Sequence, residues 1–284
     1  MAESRGVRGR RLLVCGLAWT FLTAAPPALA DPSIAPSASA ALPDAATLQG
    51  DERAVDEAGR AAREGGIIAL KEHLSALQKV LADIPTPYAK AEERAGVLYY
   101  RTDDMQDMVV FSGQEAAARK ASGRPAVNIT QIPDPYPTAA FFVGSYFNET
   151  GKPEAALAAL ETGLQLDPRN PYLVSEKGAA LSLLHRWQDA LGTYAAGLAQ
   201  LGLIPRPTDQ ARLLRGEGFA LTELKRYDEA EKAYRESLKF EPAHGGALSE
   251  LAYIARVRAG APPSATMLFN GVNAKARKPS TPPP

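Results

Sequence analysis

The sequence predicts a mostly α-helical protein in which residues 137–260 form a solenoid of stacked helix pairs, and three observations lead to that fold class. Gly144 and Gly178 lie 34 residues apart, and matching residue types follow each of them, which is typical of a helical repeat. Gly151 and Pro153 stand where one helix would end and the next begin, because glycine suits a left-handed C-terminal cap and proline suits a first helical turn. An Asp-Pro-Arg-Asn segment at 167–170 then separates one unit from the next.

This register defines three units and a final capping helix. The units are 137–170, 171–204 and 211–244, the third follows a six-residue insertion, Pro205–Gln210, and the capping helix is 245–260. Offset 8 holds Gly144, Gly178 and Gly218, offset 20 holds Ala156, Ala190 and Ala230, and offset 24 holds Leu160, Tyr194 and Tyr234. Small residues let two helices approach closely and the large residue fills the space between them, so each unit is predicted to be an antiparallel helix pair.

The combination of small and large residues at these offsets resembles the tetratricopeptide repeat (TPR) family, and the resemblance extends from Pro137 to about Gly260. The resemblance implies a TPR-type solenoid whose first helices line a concave groove, with offsets 2, 5, 9 and 12 facing inward. The candidate groove residues are Phe141, Ser145, Asn148, Tyr172, Ser175, Arg212, Arg215, Phe219, Tyr253 and Arg256. Arginine forks can hold a carboxylate at two points and aromatic rings add contact area, so we expect a protein or peptide partner. The chain departs from the carboxylate clamp of chaperone-binding members, since only Arg212 keeps its charge.

The N-terminus predicts export. Four arginines precede an apolar run from Leu12 to Ala25, and Ala28-Leu29-Ala30 is a small-x-small cleavage pattern before Asp31, so residues 1–30 are predicted to be a signal peptide. The run is short for a permanent span, and no integral span is expected after cleavage. Unfolded export is favoured, although Arg10-Arg11 loosely resembles a twin-arginine signal. The leader's composition indicates an exported bacterial protein, periplasmic or secreted.

Composition excludes several function classes. The single cysteine, Cys15, lies in the predicted leader, which excludes thiol nucleophiles and cysteine metal sites from the mature chain. Without the leader the chain has 28 basic and 31 acidic residues, so nucleic acid is not an expected partner. The three histidines show no ligand spacing, and no hydrolase, Walker or dinucleotide motif occurs. We therefore predict no enzyme activity, no metal and no cofactor.

The segment before the array is predicted to be a helical extension, residues 47–136, preceded by a disordered Ala/Pro/Ser linker at 31–46. After the break at Gly65-Gly66, an apolar seam recurs at spacings of three and four through Ile67, Leu70, Leu74, Leu77 and Leu81, which predicts an amphipathic helix. The favoured interpretation packs this seam onto the array. The alternative is a short coiled coil between copies of the chain.

Residues 85–136 lack the repeat pattern. Residues 96–101 and 126–132 are rich in β-branched and aromatic side chains, which predicts a short strand pair, with a helix over 103–120 between them. The alternative interpretation is a degenerate helical pair. At the other end of the chain, residues 261–284 are rich in proline and basic side chains and are predicted to be a disordered tail.

These observations favour a non-catalytic adaptor or scaffold of the bacterial envelope that binds a partner in the groove. Two alternatives remain open at this point. One is a self-assembling structural protein that uses the 67–81 seam, and the other is an enzyme or ligand-binding region in the N-terminal extension that the repeats regulate.

Overall fold

A computed structural model describes residues 44–201 and 205–260. Its helices are α1 (Ala45–Gly65), α2 (Leu74–Ala82), α3 (Met105–Ser122), α4 (Pro135–Glu149), α5 (Pro153–Leu166), α6 (Pro171–Leu183), α7 (Trp187–Gln200), α8 (Pro207–Glu223), α9 (Tyr227–Phe240) and α10 (Gly245–Arg258), with a 3-10 helix at Ile67–His73. The strands are β1 (Ala91–Arg94), β2 (Val97–Arg101) and β3 (Asn128–Ile132). The predicted signal peptide, most of the predicted linker and the predicted tail lie outside the described residues.

The repeat array consists of the pairs α4–α5, α6–α7 and α8–α9, followed by α10, which confirms the predicted fold class. Its small residues are in contact with the large ones. A Cβ atom added to Gly178 would lie 2.2 Å from Cζ of Tyr194, and one added to Gly144 would lie 2.4 Å from Cγ of Leu160. These glycines therefore set how closely the two helices of a pair can pack.

The third pair begins earlier than its repeat register predicts. Helix α8 starts at Pro207 rather than at residue 211, so the end of the predicted insertion forms its first turn. Proline at the first helical position and Asp209 in the first turn explain this start, because proline lacks the N–H that would have no intrahelical acceptor there and the Asp209 carboxylate complements the positive end of the helix.

Successive first helices contact one another, α4 with α6, α6 with α8 and α8 with α10, while each second helix lies between two first helices. The first helices therefore pack against one another more closely than the second helices do. The side of the first helices that faces away from the second helices is the inner, concave face of the array. We call this side the groove face.

The extension before the array covers the first helix pair. Helix α1 begins at Ala45, because Asp44 accepts hydrogen bonds from the N–H groups of Ala46 and Thr47 at 2.9 and 3.0 Å, so the predicted linker ends earlier than residue 46. The predicted single amphipathic helix is divided at His73 into the 3-10 helix and α2.

The apolar seam of this segment packs within the chain. Leu70 and Leu77 are fully buried in a cluster with Tyr136, Ala139 and Val143 of α4. Packing onto the array, the favoured interpretation, is therefore what the structure has. The coiled-coil alternative is wrong, because these seam leucines are already covered.

Residues 88–134 form a small α/β insert between α2 and α4. Strands β2 and β3 are parallel and are joined through α3, and the predicted strand pair is thereby confirmed over the degenerate helical pair. Strand β1 was not predicted, and it pairs antiparallel with β2 across a tight turn at Ala95-Gly96, where both residues have positive φ. Asp134 ties the insert together, because its Oδ2 atom accepts hydrogen bonds from Tyr88 Oη at 2.8 Å and Lys90 Nζ at 2.9 Å.

Candidate functional site

The groove face carries the predicted site residues, and they differ sharply in exposure. Tyr172 and Arg256 are exposed; Phe141, Ser175, Arg212 and Tyr253 are half-buried; Ser145, Asn148, Arg215 and Phe219 are buried. Only the first two groups can present side chains to a partner without rearrangement.

Three of the predicted residues form one stack that crosses three first helices. The rings of Phe141 (α4) and Tyr172 (α6) meet edge-on with centroids 5.8 Å apart, and the guanidinium carbon of Arg212 (α8) lies 4.8 Å from the Tyr172 ring centroid. The distance is that of a cation–π contact. The Nε atom of Arg212 is buried and donates to no acceptor among the residues described.

A carboxylate lies deeper in the same face. Asn148 Nδ2 donates to the backbone carbonyl of Glu176 at 3.0 Å and to its Oε2 atom at 2.9 Å. Burial raises the pKa of the Glu176 carboxyl, while the hydrogen bond from Asn148 and the charge of Arg212 oppose that rise. Asn148 therefore positions Glu176 inside the protein rather than facing a partner, and Glu176 was not among the predicted groove residues.

Arg215 and Phe219 were predicted to face a partner, but both side chains are buried within the protein. Arg215 is 6% exposed and forms an ion pair with Glu241 at the end of α9. Phe219 is 5% exposed and packs edge-on against Trp187 of α7, with centroids 6.1 Å apart. Both covering side chains, Glu241 and Trp187, come from outside α8, which offsets within one helix cannot reveal.

The remaining predicted residues lie at the edges of the face. The backbone carbonyl of Ser175 accepts a hydrogen bond of 3.4 Å from Tyr194 Oη, which ties α6 to α7. Tyr253 packs against the array's main apolar cluster, and Arg256 is exposed in the last turn of α10.

A second concave region, which the sequence analysis missed, lies between the α/β insert and the array. This acidic cleft has a volume of about 640 Å³, and the starts of α3, α6 and α8 line it. Its acidic side chains are Asp103, Asp104, Asp107, Asp134, Asp167 and Asp209, and its basic ones are Lys90, Arg169 and Arg206. The sequence does hold one signal for this cleft. Asp103 and Asp134 each lie two residues after the end of one of the two parallel strands, β2 and β3.

Residues 211–244 match the family model described as tetratricopeptide repeat, the same segment that the repeat register defines as the third unit. Human tetratricopeptide repeat protein 21B is 29% identical over 178 residues, 62% of this chain and 12% of the relative, and the mouse protein is 25% identical over 169 residues, 60% of this chain and 11% of the relative. The chain therefore spans about an eighth of the length of these relatives.

Solved structures with TPR folds are similar in part. The first TPR domain of human RPAP3 is 24% identical with a TM-score of 0.41, covering 44% of this chain and 94% of that domain. A crystal structure of MamA is 13% identical with a TM-score of 0.44, covering 74% of this chain and 84% of that protein. The named sequence relatives are animal proteins, so the bacterial origin inferred from the leader stays a prediction.

Two kinds of feature are absent from residues 44–201 and 205–260. In these ranges no helix is both long and apolar enough to cross a bilayer. The same ranges hold no group of three or more His, Cys, Asp or Glu side chains arranged to hold a metal ion.

Proposed function

We propose that this protein is a non-catalytic adaptor that binds a partner protein or peptide on the groove face of its TPR array. Repeat solenoids of this kind typically bind partners over extended concave surfaces. The observation that carries the proposal is the Phe141–Tyr172–Arg212 stack, which joins an exposed aromatic ring and a guanidinium across three first helices.

The stack combines two kinds of contact. The exposed Tyr172 ring and half-buried Phe141 offer apolar area with little side-chain entropy to lose, as is typical of residues that dominate binding energy. Half-buried Arg212 adds a guanidinium group that can donate hydrogen bonds to a partner's carbonyl or carboxylate oxygen. Because the aromatic ring holds the guanidinium in place, its donors are oriented before a partner arrives.

Selection from a random peptide library on the purified protein, followed by fluorescence anisotropy on the selected peptides, tests this interface. Arg212→Gln should weaken binding about tenfold or more, because it removes a charged donor. Arg235→Gln is the matched control, since Arg235 is exposed on α9 and pairs only with a neighbour on its own helix. If both variants bound the selected peptides with equal affinity, the interface would lie outside the stack.

The proposed place of action is outside the cytoplasm, in a bacterial envelope or its surroundings. The support is the predicted signal peptide at residues 1–30. Expression of the full chain in a Gram-negative host, fractionation and N-terminal sequencing test it. We expect a periplasmic product that begins at Asp31; a cytoplasmic product that retains Met1 would refute export.

A further inference from the structure

The acidic cleft has the features of a ligand site rather than of a surface depression. Its six carboxylates exceed its three basic side chains by three negative charges. Lys90 is bound to Asp134, Arg206 pairs with Asp104, and Arg169 lies 4.0 Å from Asp107. These pairs leave Asp103, Asp167 and Asp209 without a cation of their own among the described residues lining the cleft.

Asp209 is the decisive member. It is 5% exposed, lines the cleft, and its Oδ1 atom is buried without a hydrogen-bond partner in the described part of the chain. A buried carboxylate oxygen that accepts no hydrogen bond costs free energy. Burial raises the pKa of the Asp209 carboxyl, while the charges of Arg206 and Arg212 oppose that rise.

A second side chain with an unpartnered oxygen lines the same cleft from the insert. Asp134 is 3% exposed, and although its Oδ2 atom accepts two hydrogen bonds, its Oδ1 atom is buried with none. Both sides of the cleft, the insert and α8, therefore contribute a carboxylate oxygen with unused accepting capacity.

The topology places this cleft where ligands bind in other α/β units. The carboxyl ends of the parallel strands β2 and β3 lie side by side, with Arg101 opposite Ile132. Asp103 and Asp134, which follow these ends, meet there, because the Asp134 N–H donates to Asp103 Oδ1 at 3.1 Å. Crevices outside the carboxyl ends of parallel strands are common ligand sites.

Helix starts at the cleft explain part of the acidic charge. Asp104 accepts hydrogen bonds from the first N–H groups of α3, and Asn170 does so for α6. The positive ends of these helices and of α8 stabilise nearby carboxylates. That effect does not supply the hydrogen-bond donor that Asp209 Oδ1 lacks.

We propose that the acidic cleft binds an organic cation, an ammonium or guanidinium group on an aliphatic stem, through Asp209 and Asp134. Asp209 and Asp134 accept its N–H donors, and the unpaired Asp103 contributes charge. The stem contacts the rim, where Met105 is 66% exposed and the Tyr172 ring is 37% exposed. The same chemistry can come from a lysine or arginine side chain of a polypeptide or from a free polyamine.

Calorimetric titration of the purified protein at low ionic strength tests the proposal with three probes. They are spermidine, the acetylated and amidated peptide Gly-Arg-Gly, and the matching Gly-Gly-Gly peptide as a control. We expect saturable binding of spermidine, of the arginine peptide or of both, and none of the control. The probe that binds identifies the source of the cation, and the absence of binding by both cations overturns the proposal.

Variants then assign the site. Asp209→Asn should weaken cation binding about tenfold, because a charged acceptor is lost while the shape is kept. Asp103→Asn is the second variant, and its amide oxygen can still accept the Asp134 N–H, so it keeps the test informative if the first variant folds poorly. Glu154→Gln, exposed on α5 and outside the cleft lining, should bind as the wild type does. Unchanged affinity in both aspartate variants would overturn the assignment, and neither outcome depends on peptide binding by the Phe141–Tyr172–Arg212 stack.

Discussion

The repeat array and the α/β insert are stabilised in different ways. In the array, apolar side chains fill spaces that glycine and alanine leave, as where Tyr194 packs between Gly178 and Gly216. In the insert, buried polar groups bind one another: Asp134 with Lys90, and Arg119 with Glu115 at 2.8 Å. Close packing tolerates few changes of volume, whereas a paired polar network tolerates few changes of charge.

The largest expected effect is a loss of stability that is confined to the insert. Asp134→Ala removes the acceptor shared by Tyr88 and Lys90 and leaves a largely buried cation without its partner, so we expect a loss of about 3 kcal/mol in the stability of the insert. Hydrogen exchange should rise across residues 88–134 and change little in α6–α9. Asp189→Ala, which removes an exposed i, i+3 ion pair, is the control and should cost less than about 0.5 kcal/mol. Uniform exchange over both regions would show that they unfold as one unit.

The next effect tests close packing in the array. Gly178→Ala places a methyl group within 2.2 Å of the Tyr194 ring, and we expect it to destabilise the array by about 1–3 kcal/mol in urea unfolding. Gly192→Ala is the matched substitution, because it is exposed in α7 with no atom within 4 Å of the added methyl group. It should stabilise the protein by about 0.5–1 kcal/mol through helix propensity. The same sign for both alanines would contradict the packing account.

The smallest of these effects concerns a carboxyl group that is buried in the array, where packing is otherwise mainly apolar. Glu250 of α10 is 4% exposed with an unpartnered Oε2 atom, and burial, reinforced by the charge of Glu223, raises its pKa to about 7. A folded-state pKa above the ordinary value near 4.5 means that its contribution to stability is complete below about pH 4.5 and is lost as the pH rises through 7.

Glu250→Gln should therefore stabilise the protein at pH 8 by roughly 1 kcal/mol and have little effect at pH 4.5, since glutamine remains a buried polar group but cannot ionise. Melting temperatures of the wild type and the variant at both values check this. A variant that is equally stable relative to the wild type at the two pH values would show that folding does not raise the pKa of Glu250.

The same contrast explains what the sequence could predict. The array follows from local rules repeated every 34 residues, so a register of glycines and alanines was enough to place its helix pairs. Strand β1, with the sequence Ala-Glu-Glu-Arg, has little intrinsic strand preference, and it is a strand because β2 lies beside it. The division at His73 likewise has no clear signal in the continuous apolar seam.

The candidate sites show the same contrast between features that follow from local repeats and features that depend on contacts between distant segments. Offsets placed Phe141, Tyr172 and Arg212 on one face, where the structure brings them together. They could not show that Arg215 would meet Glu241, because that contact joins different helices. The acidic cleft as a whole could not be predicted for the same reason, since Asp134 and Asp209 are 75 residues apart and line one cleft only through the placement of the insert.

The covering of the first helix pair by α1 and α2 also limits how copies of this chain can associate. Repeat-like stacking needs an uncovered helix layer at each end to continue indefinitely. Here one terminus of the described solenoid is sealed by its own extension, and α10 is the terminal layer at the other. A further helix layer therefore cannot stack on the α4–α5 end of the described solenoid without displacing α1 and α2.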